Sequence, residues 1–402
     1  MAEDSINLLV ALDGTGWHPS SWRDAEALPR EFTTAKYWKD LAQTAERGLI
    51  DAITIEDSLG LQSERPFEND ARVDQFRGRL DAVQIATFIA PSTNHIGIIP
   101  TVIATHTEPF HISKAIATLD YVSLGRAGVR VQLATRTSDS KHFGRREFPN
   151  FTYDDYLNGN GREFIEELFD EAADYIEVVR RLWDSWEDDA EIRDSKSGKF
   201  IDVKKLHYID FKGKWFSIKG PSITQRPPQG QPTVAVLAHA TVPYELAAKS
   251  ADVVFITPTE KNPASSIIAE VRAAESKLER SLPPLKVIGE IVVFLGKTTE
   301  EAQAHRAKLD DFLGHPYQSD AHIFVGTAEE LADLIAEWSA SGIEGYRLRP
   351  ASLPHDLNLI VDQLVPALQK RGIFRTSYEA GSLRSRFGFA RPANRYASSV
   401  KG

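Results

Sequence analysis

The stretch HIGIIPTVIATHTEPFHISKAIATLDYVSLGRAGVRVQLA, His95–Ala134, decides the fold. His95–Thr101 is short and β-branched, and Gly128–Ala134 repeats that character. Between them Pro109–Val122 has a helical pattern opened by a proline, which suits a first helical turn. Strand, helix, strand is one parallel unit.

The alternation continues in both directions. Upstream strands are predicted at Ile6–Leu12 and Asp51–Glu56, with helices at Thr34–Arg47 and Leu80–Ile89. Downstream strands are predicted at Thr233–Ala238, Asp252–Thr257, Leu285–Phe294 and Glu344–Arg349. Helices are expected near Phe164–Trp186, Pro243–Ser250, Ser265–Leu282, Thr299–Phe312, Ala328–Ala340 and Leu357–Arg371. Thr33 or Thr34 is a candidate N-cap, and Gly48 stands where a helix-ending glycine belongs. Eight strand–helix units predict an α/β protein, a (β/α)8 TIM barrel rather than an open sheet. An open dinucleotide-binding sheet would carry a Gly-rich fingerprint after its first strand, whereas Gly14-Thr15-Gly16 is followed by Trp17, His18 and Pro19.

Residues 1–371 are therefore read as the barrel, with insertions at about 136–162, after strand 4, and at about 187–231, before strand 5. The second insertion holds an alternating run through Leu206, Tyr208, Phe211, Trp215 and Phe216 that suggests a hairpin. Residues 372–402 form a C-terminal extension in which Arg384, Arg386, Arg391 and Arg395 mix with Phe387, Phe389 and Tyr396. Such a segment is expected to pack on its own body or on a sister subunit.

Composition narrows the function classes. The 402 residues include 47 Lys plus Arg against 57 Asp plus Glu, a net charge of −10, which argues against nucleic-acid binding. With Cys at 0, disulfides, thiolate metal sites and a Cys nucleophile are excluded. Ala82–Thr107 is uncharged, but Pro91, Ser92, Thr93, Asn94 and Pro100 break it, so no membrane span is expected. Ala2, Glu3 and Asp4 are unlike the basic start of a signal peptide, and the expected location is cytoplasmic.

Barrel active sites gather at the C-terminal ends of the strands. Those ends hold Trp17, His18, Asp57, Thr101, Thr105, His106, Arg130, Gln132, His239, Ala240, Thr241 and Arg347. On strand 4, Val129, Val131 and Leu133 share one face while Arg130 and Gln132 share the other. On strand 8, Tyr346 and Leu348 oppose Arg347 and Arg349. The apolar faces should meet the helices, which turns the arginines into the lumen. A buried arginine keeps its charge, so each needs an anion or several acceptors. Glu56 and Asp57 could neutralise them internally, or the charge could face a ligand phosphate or carboxylate. Thr241 is a candidate N-cap and Pro243 suits a first turn, so Ala238–Pro243 opens a helix able to hold an anion. No HExxH or two-His-one-carboxylate spacing is present, and no metal ligands are assigned.

Pro109-Phe110-His111, followed by Thr118-Leu119-Asp120-Tyr121-Val122-Ser123-Leu124-Gly125-Arg126, resembles the bacterial-luciferase-like flavin-dependent monooxygenases. Ala45–Asp51, Leu182–Trp186, Leu246–Phe255 and Phe324-Val325-Gly326-Thr327 match further. Gly220-Pro221 and the Trp-Asp-Ser-Trp segment favour the branch of nitrilotriacetate and dibenzothiophene-sulfone monooxygenases. The resemblance implies a two-component enzyme that uses reduced FMN, supplied by a separate NAD(P)H flavin reductase, and O2. It also implies hydroxylation or C–N or C–S cleavage of a small organic substrate, an anionic one among the candidates. On this reading Asp57, Thr101, Thr105, Arg130, Gln132, His239, Ala240 and Thr241 would surround the cofactor. Trp17 and Arg347 would line the substrate side, with His18 or His106 handling protons. A homodimer or homotetramer is expected. Three departures stand out: Arg130 replaces the usual flavin-facing Asn, Leu168-Phe169 replaces an Arg-Tyr pair, and His239-Ala240 replaces phosphate-loop serines. They keep open an F420-dependent hydride transferase on the same fold, or a barrel without catalysis.

Overall fold

The structure is a computed structural model describing residues 5–397, apart from residues 66 and 261 and the side chains of residues 156 and 157. Ala2, Glu3 and Asp4, and residues 398–402 of the extension, lie outside the described residues.

Eight parallel strands close into the expected barrel. They are β1 (Asn7–Leu12), β2 (Ala52–Ile55), β3 (Gly97–Ile103), β4 (Gly128–Gln132), β5 (Thr233–Leu237), β6 (Val253–Ile256), β7 (Lys286–Leu295) and β8 (Gly345–Pro350). Leu9 lies opposite Ala52 on one side of β1, and Asn7 opposite Gly345 on the other, which closes the ring. Every other strand pairs in parallel with its two neighbours. Outside the predicted set, His322–Gly326 forms a further parallel strand on Ile291–Leu295, the upper half of β7. The second insertion holds two small antiparallel hairpins, Glu191–Asp194 with Lys199–Ile201 and Phe211–Lys212 with Ser217–Ile218. Among the described residues no helix is long and apolar enough to cross a membrane.

Local signals explain the helix ends. Thr34 Oγ1 accepts the Tyr37 N–H at 3.3 Å and opens Ala35–Arg47. Gly48 caps the C-terminal end of that helix, as its position suggests, but without a left-handed turn. Its φ is −80°, and the left-handed turn falls on Leu49 at φ 58°. A Cβ on Gly48 would stand 2.7 Å from Val361 Cγ2, so close packing is what requires glycine there. Thr327 opens Ala328–Ser339 with a reciprocal capping box to Glu330.

Strand alternation divides two cores. Val129, Val131, Tyr346 and Leu348 face the helices, as predicted. Inside the barrel Leu9, Ala52, Ile99, Ala235, Phe255 and Ile288 form a second cluster, completed from outside by Leu383, Phe387 and Phe389. The extension thus acts as a stopper at the N-terminal end of the barrel. Leu383 N–H donates to Gly125 O at 2.9 Å, and Asn7 Nδ2 donates to Arg386 O at 3.2 Å. Arg384 donates to buried Asp252 at 3.2 Å.

Gly97, at the start of β3, makes room for this stopper: a Cβ there would lie 2.4 Å from Leu383 Cδ1. Gly97→Ala is expected to destabilise by about 1–3 kcal/mol through overpacking. Leu383→Ala should recover part of that loss in the double variant, read by urea unfolding. Strict additivity of the two substitutions would remove Leu383 from that contact.

Candidate active site

A buried ion network crosses the lumen above the apolar cluster. Arg347, with no exposed surface, donates from Nη1 to Glu290 Oε1 at 2.7 Å and from Nε to Thr54 Oγ1 at 2.8 Å, and it also pairs with Glu56. Arg130 Nη1 donates to Glu56 Oε2 at 2.8 Å, Thr101 Oγ1 at 3.1 Å and Gln132 Oε1 at 3.0 Å. Arg349 pairs with Glu290 and, at 2.6 Å, with Asp320. Burial alone would raise the Glu56 carboxyl, but Arg130 and Arg347 outweigh it and hold the group at about 2. Three arginines face three carboxylates, so the network balances its own charge. Its hydrogen bonding is incomplete: Nε of Arg130 and of Arg349 have no partner among the described residues.

Above this floor lies a cavity of about 730 Å³. Arg130, Gln132, His239 and Arg349 are among its polar lining, while Ile103, Leu133, Phe169, Val236 and Leu246 supply apolar wall. The helix Thr241–Ser250 begins at its edge, with Ala240 at the cap position and no side-chain cap. His239 Nδ1 bonds Thr257 Oγ1 at 2.9 Å, and its Nε2 lies 3.6 Å from Asp320. A second cavity of about 730 Å³ is lined by Gln62, Gln75, Arg79, His315 and Ser319. Trp17, Gln62, Arg79 and Asp320 border both spaces. Arg79 is held by Asp13 through Nε at 2.9 Å and Nη2 at 2.5 Å. One chamber is lined largely by hydrocarbon, the other by polar and apolar surface in about equal measure, and they share a wall.

The model of the luciferase-like monooxygenases matches residues 15–322. The chain belongs to the luciferase-like monooxygenase family. It is 31% identical to N-acetyl-S-(2-succino)cysteine monooxygenase of Bacillus subtilis (strain 168), across 98% of each chain. It is 28% identical to nitrilotriacetate monooxygenase component A of Aminobacter aminovorans, across 98% of this chain and 99% of that one. A crystal structure of riboflavin lyase with modified FMN and riboflavin superposes with a TM-score of 0.82 at 21% identity, covering 97% of both chains.

Within this member of the family, the residues singled out in the sequence fall into three groups. Trp17, Arg130, Gln132, His239 and Ala240 line the first cavity. Arg347 and Thr101 lie beneath its floor, where the Arg347 guanidinium stands 5.5 Å from the Trp17 ring centroid. The others lie aside. Asp57 accepts the Ser58 and Ala82 N–H groups at 2.7 and 3.0 Å, holding the start of the helix Ala82–Ile89. Thr105 Oγ1 accepts the Ala134 N–H at 3.1 Å and shapes the loop after β4. Thr241 is the exposed first residue of its helix rather than its cap.

Neither histidine chosen for proton handling is among the residues lining these two cavities. His18 is sealed against Phe294 and Tyr317, with Nδ1 accepting the Ser20 N–H at 3.1 Å; burial brings it down to about 4. His106 is packed between Phe143 and Phe148, and burial brings it to about 4 as well. Gln62, Gln75, Arg79, Glu290 and Asp320 escaped the sequence reading. Glu290 carried a usable signal. It is the lone acid in Val287-Ile288-Gly289-Glu290-Ile291-Val292-Val293, and a buried strand tolerates that only opposite a cation.

Proposed function

We propose that the chain is the oxygenase component of a two-component system. It would take reduced FMN from a separate NAD(P)H flavin reductase and, with O2, oxidise a small carboxylate-bearing molecule. The observation that carries this reading is the buried, unpartnered Arg130 Nε–H on the floor of a largely apolar cavity. Apolar walls suit an isoalloxazine ring, and its carbonyl oxygens and ring nitrogens are the acceptors an unpartnered guanidinium lacks. At the far edge, the uncapped start of the helix at Ala240 and Val242 suits the phosphate. Reduced flavin held there would supply the electrons that activate O2.

This chain's side chains do the rest. Arg130 and Gln132 fix one end of the ring, and Trp17 screens it from the second cavity. Arg79, Gln62 and Gln75 offer polar contacts there, and Gln75 Nε2 has no partner among the described residues. A substrate with carboxylates suits that lining, and two relatives bear the names of polycarboxylate substrates. His239, between Thr257 and Asp320, replaces His18 and His106 as the histidine placed to exchange a proton with a bound molecule. The reading carries with it a cytoplasmic homodimer or homotetramer.

The test is anaerobic titration with reduced FMN and, separately, with reduced F420. The wild-type chain should bind reduced FMN more tightly. Arg130→Met should bind it about 10–100-fold more weakly, the loss of a charged hydrogen bond. Preference for F420, or no flavin binding, would overturn the reading.

A further inference from the structure

Away from both cavities, beyond the C-terminal ends of β7 and β8, a second group of chemistry-bearing residues converges. One ring nitrogen of His305, one of His355 and one carboxylate oxygen of Asp356 all lie within 4.8 Å of one another. The two imidazoles meet edge to face, with centroids 4.7 Å apart. They come from different elements, His305 from the helix Thr299–Leu313 and His355 from the first residue of His355–Leu359.

Three features set this cluster apart from side chains that merely face solvent. His305 Nε2 lies 2.6 Å from Asp24 Oδ2, while its Nδ1 is buried without a partner. A histidine whose one nitrogen is held by a carboxylate, leaving the other bare, has the arrangement of a metal ligand with its outer support. Asp356 is fully buried, and each of its oxygens accepts one backbone N–H, from Leu295 and Ser352, both at 2.8 Å. Each oxygen keeps a lone pair. Finally, Asp24, Glu26 and Asp356 bring three carboxylates together. Among the described residues the ion pairs of Asp24 and Glu26 are with His305 and His355, and no lysine or arginine pairs with any of the three. The pocket is short of positive charge.

We propose that His305, His355 and Asp356 bind one divalent transition-metal ion of the zinc type, with Asp24 holding His305 from outside. Imidazole and carboxylate donors without thiolate suit zinc and its neighbours. His355 hydrogen-bonds Glu26 through Nδ1 and Leu295 O through Nε2, both at 3.2 Å. Ligation replaces one of these bonds, and any proton on that nitrogen leaves to solvent. The ion ties the Asp24–Glu26 turn to the segment after β8. Upstream on the same loop as that turn, the Trp17 N–H donates to Pro350 O at 2.8 Å and the His18 N–H to Ala351 O at 3.0 Å. It therefore acts as a clamp on the loop carrying Trp17.

The test starts with full-length protein stripped by chelator, equilibrated with micromolar Zn²⁺, desalted and assayed by plasma mass spectrometry. The wild type should retain about one equivalent and gain thermal stability. His355→Gln should retain none, and Asp24→Asn should bind about 10–100-fold more weakly. His111→Gln, at an exposed position on Pro109–Val122, should behave as wild type. No retained zinc in the wild type, or equal retention in His355→Gln, overturns the proposal. Cobalt(II) titration of the wild type gives a readout free of folding questions. It should produce the visible absorption of a low-coordinate site, abolished by zinc, and a spectrum matching the hydrated ion would also overturn it.

Discussion

Glu56→Gln is expected to lower stability by about 3–5 kcal/mol, the cost of breaking a buried ion pair from one side. Glu56 is the acceptor that Arg130 and Arg347 share, and both guanidiniums are buried. Glutamine keeps one carbonyl oxygen, so one arginine must go without, and neither can release its proton. Chemical denaturation measures the loss; a difference under about 1 kcal/mol would show that the network relaxes around the substitution. Acid unfolding gives a second signature. The folded carboxyl is held at about 2 against an ordinary 4.5, so its stabilisation is present above the ordinary value and is lost as pH falls toward 2. The variant should lack that contribution, and its stability should fall less steeply between those values. Because Arg130 also forms the cavity floor, weaker binding of reduced FMN is expected alongside.

Truncating the chain after residue 380 should have an effect of similar or greater size. Leu383, Phe387 and Phe389 are at most 8% exposed and complete the inner core of the barrel. Each is worth about 1.5–3 kcal/mol of burial. Together they approach the roughly 5–15 kcal/mol that separates a native domain from its unfolded chain. Loss of Arg384 would also leave Asp252 with one fewer cation in a buried setting, where Arg180 remains at 2.8 Å. The expected product is aggregated, or has a Tm lower by more than about 10 °C. Truncation after residue 390 is the contrast. It leaves Leu383, Phe387 and Phe389 in place and removes the half-exposed Arg391–Asp188 pair, about 1 kcal/mol or less. It also removes the Asn394 Nδ2 bonds to Asp184 O and Trp186 O, about 1 kcal/mol each, so its loss should be the smaller. Equal Tm values for the two truncations would refute the stopper.

The barrel was legible because buried parallel strands are written as β-branched runs. The alternation Val129-Arg130-Val131-Gln132 also places a charge in the lumen by residue order alone. Asp320 was not legible, since it reaches Arg349 from a loop ahead of a strand whose residues His322 to Val325 are all half-buried. The position of the stopper depends on long-range contacts such as Leu383 to Gly97, and no local pattern reports these. His18 and His106 were misleading for a related reason. Position in a mouth loop says nothing of whether a ring faces the opening or, as here, aromatic neighbours.

The stopper also orders events in time. Residues 381–397 leave the ribosome after all eight strands, so throughout synthesis the lower rims of Leu9, Phe255 and Ile288 stay wet. The nascent protein must hold an unfinished bottle upright until its cork arrives, and that interval is when chaperones have an apolar mouth to recognise.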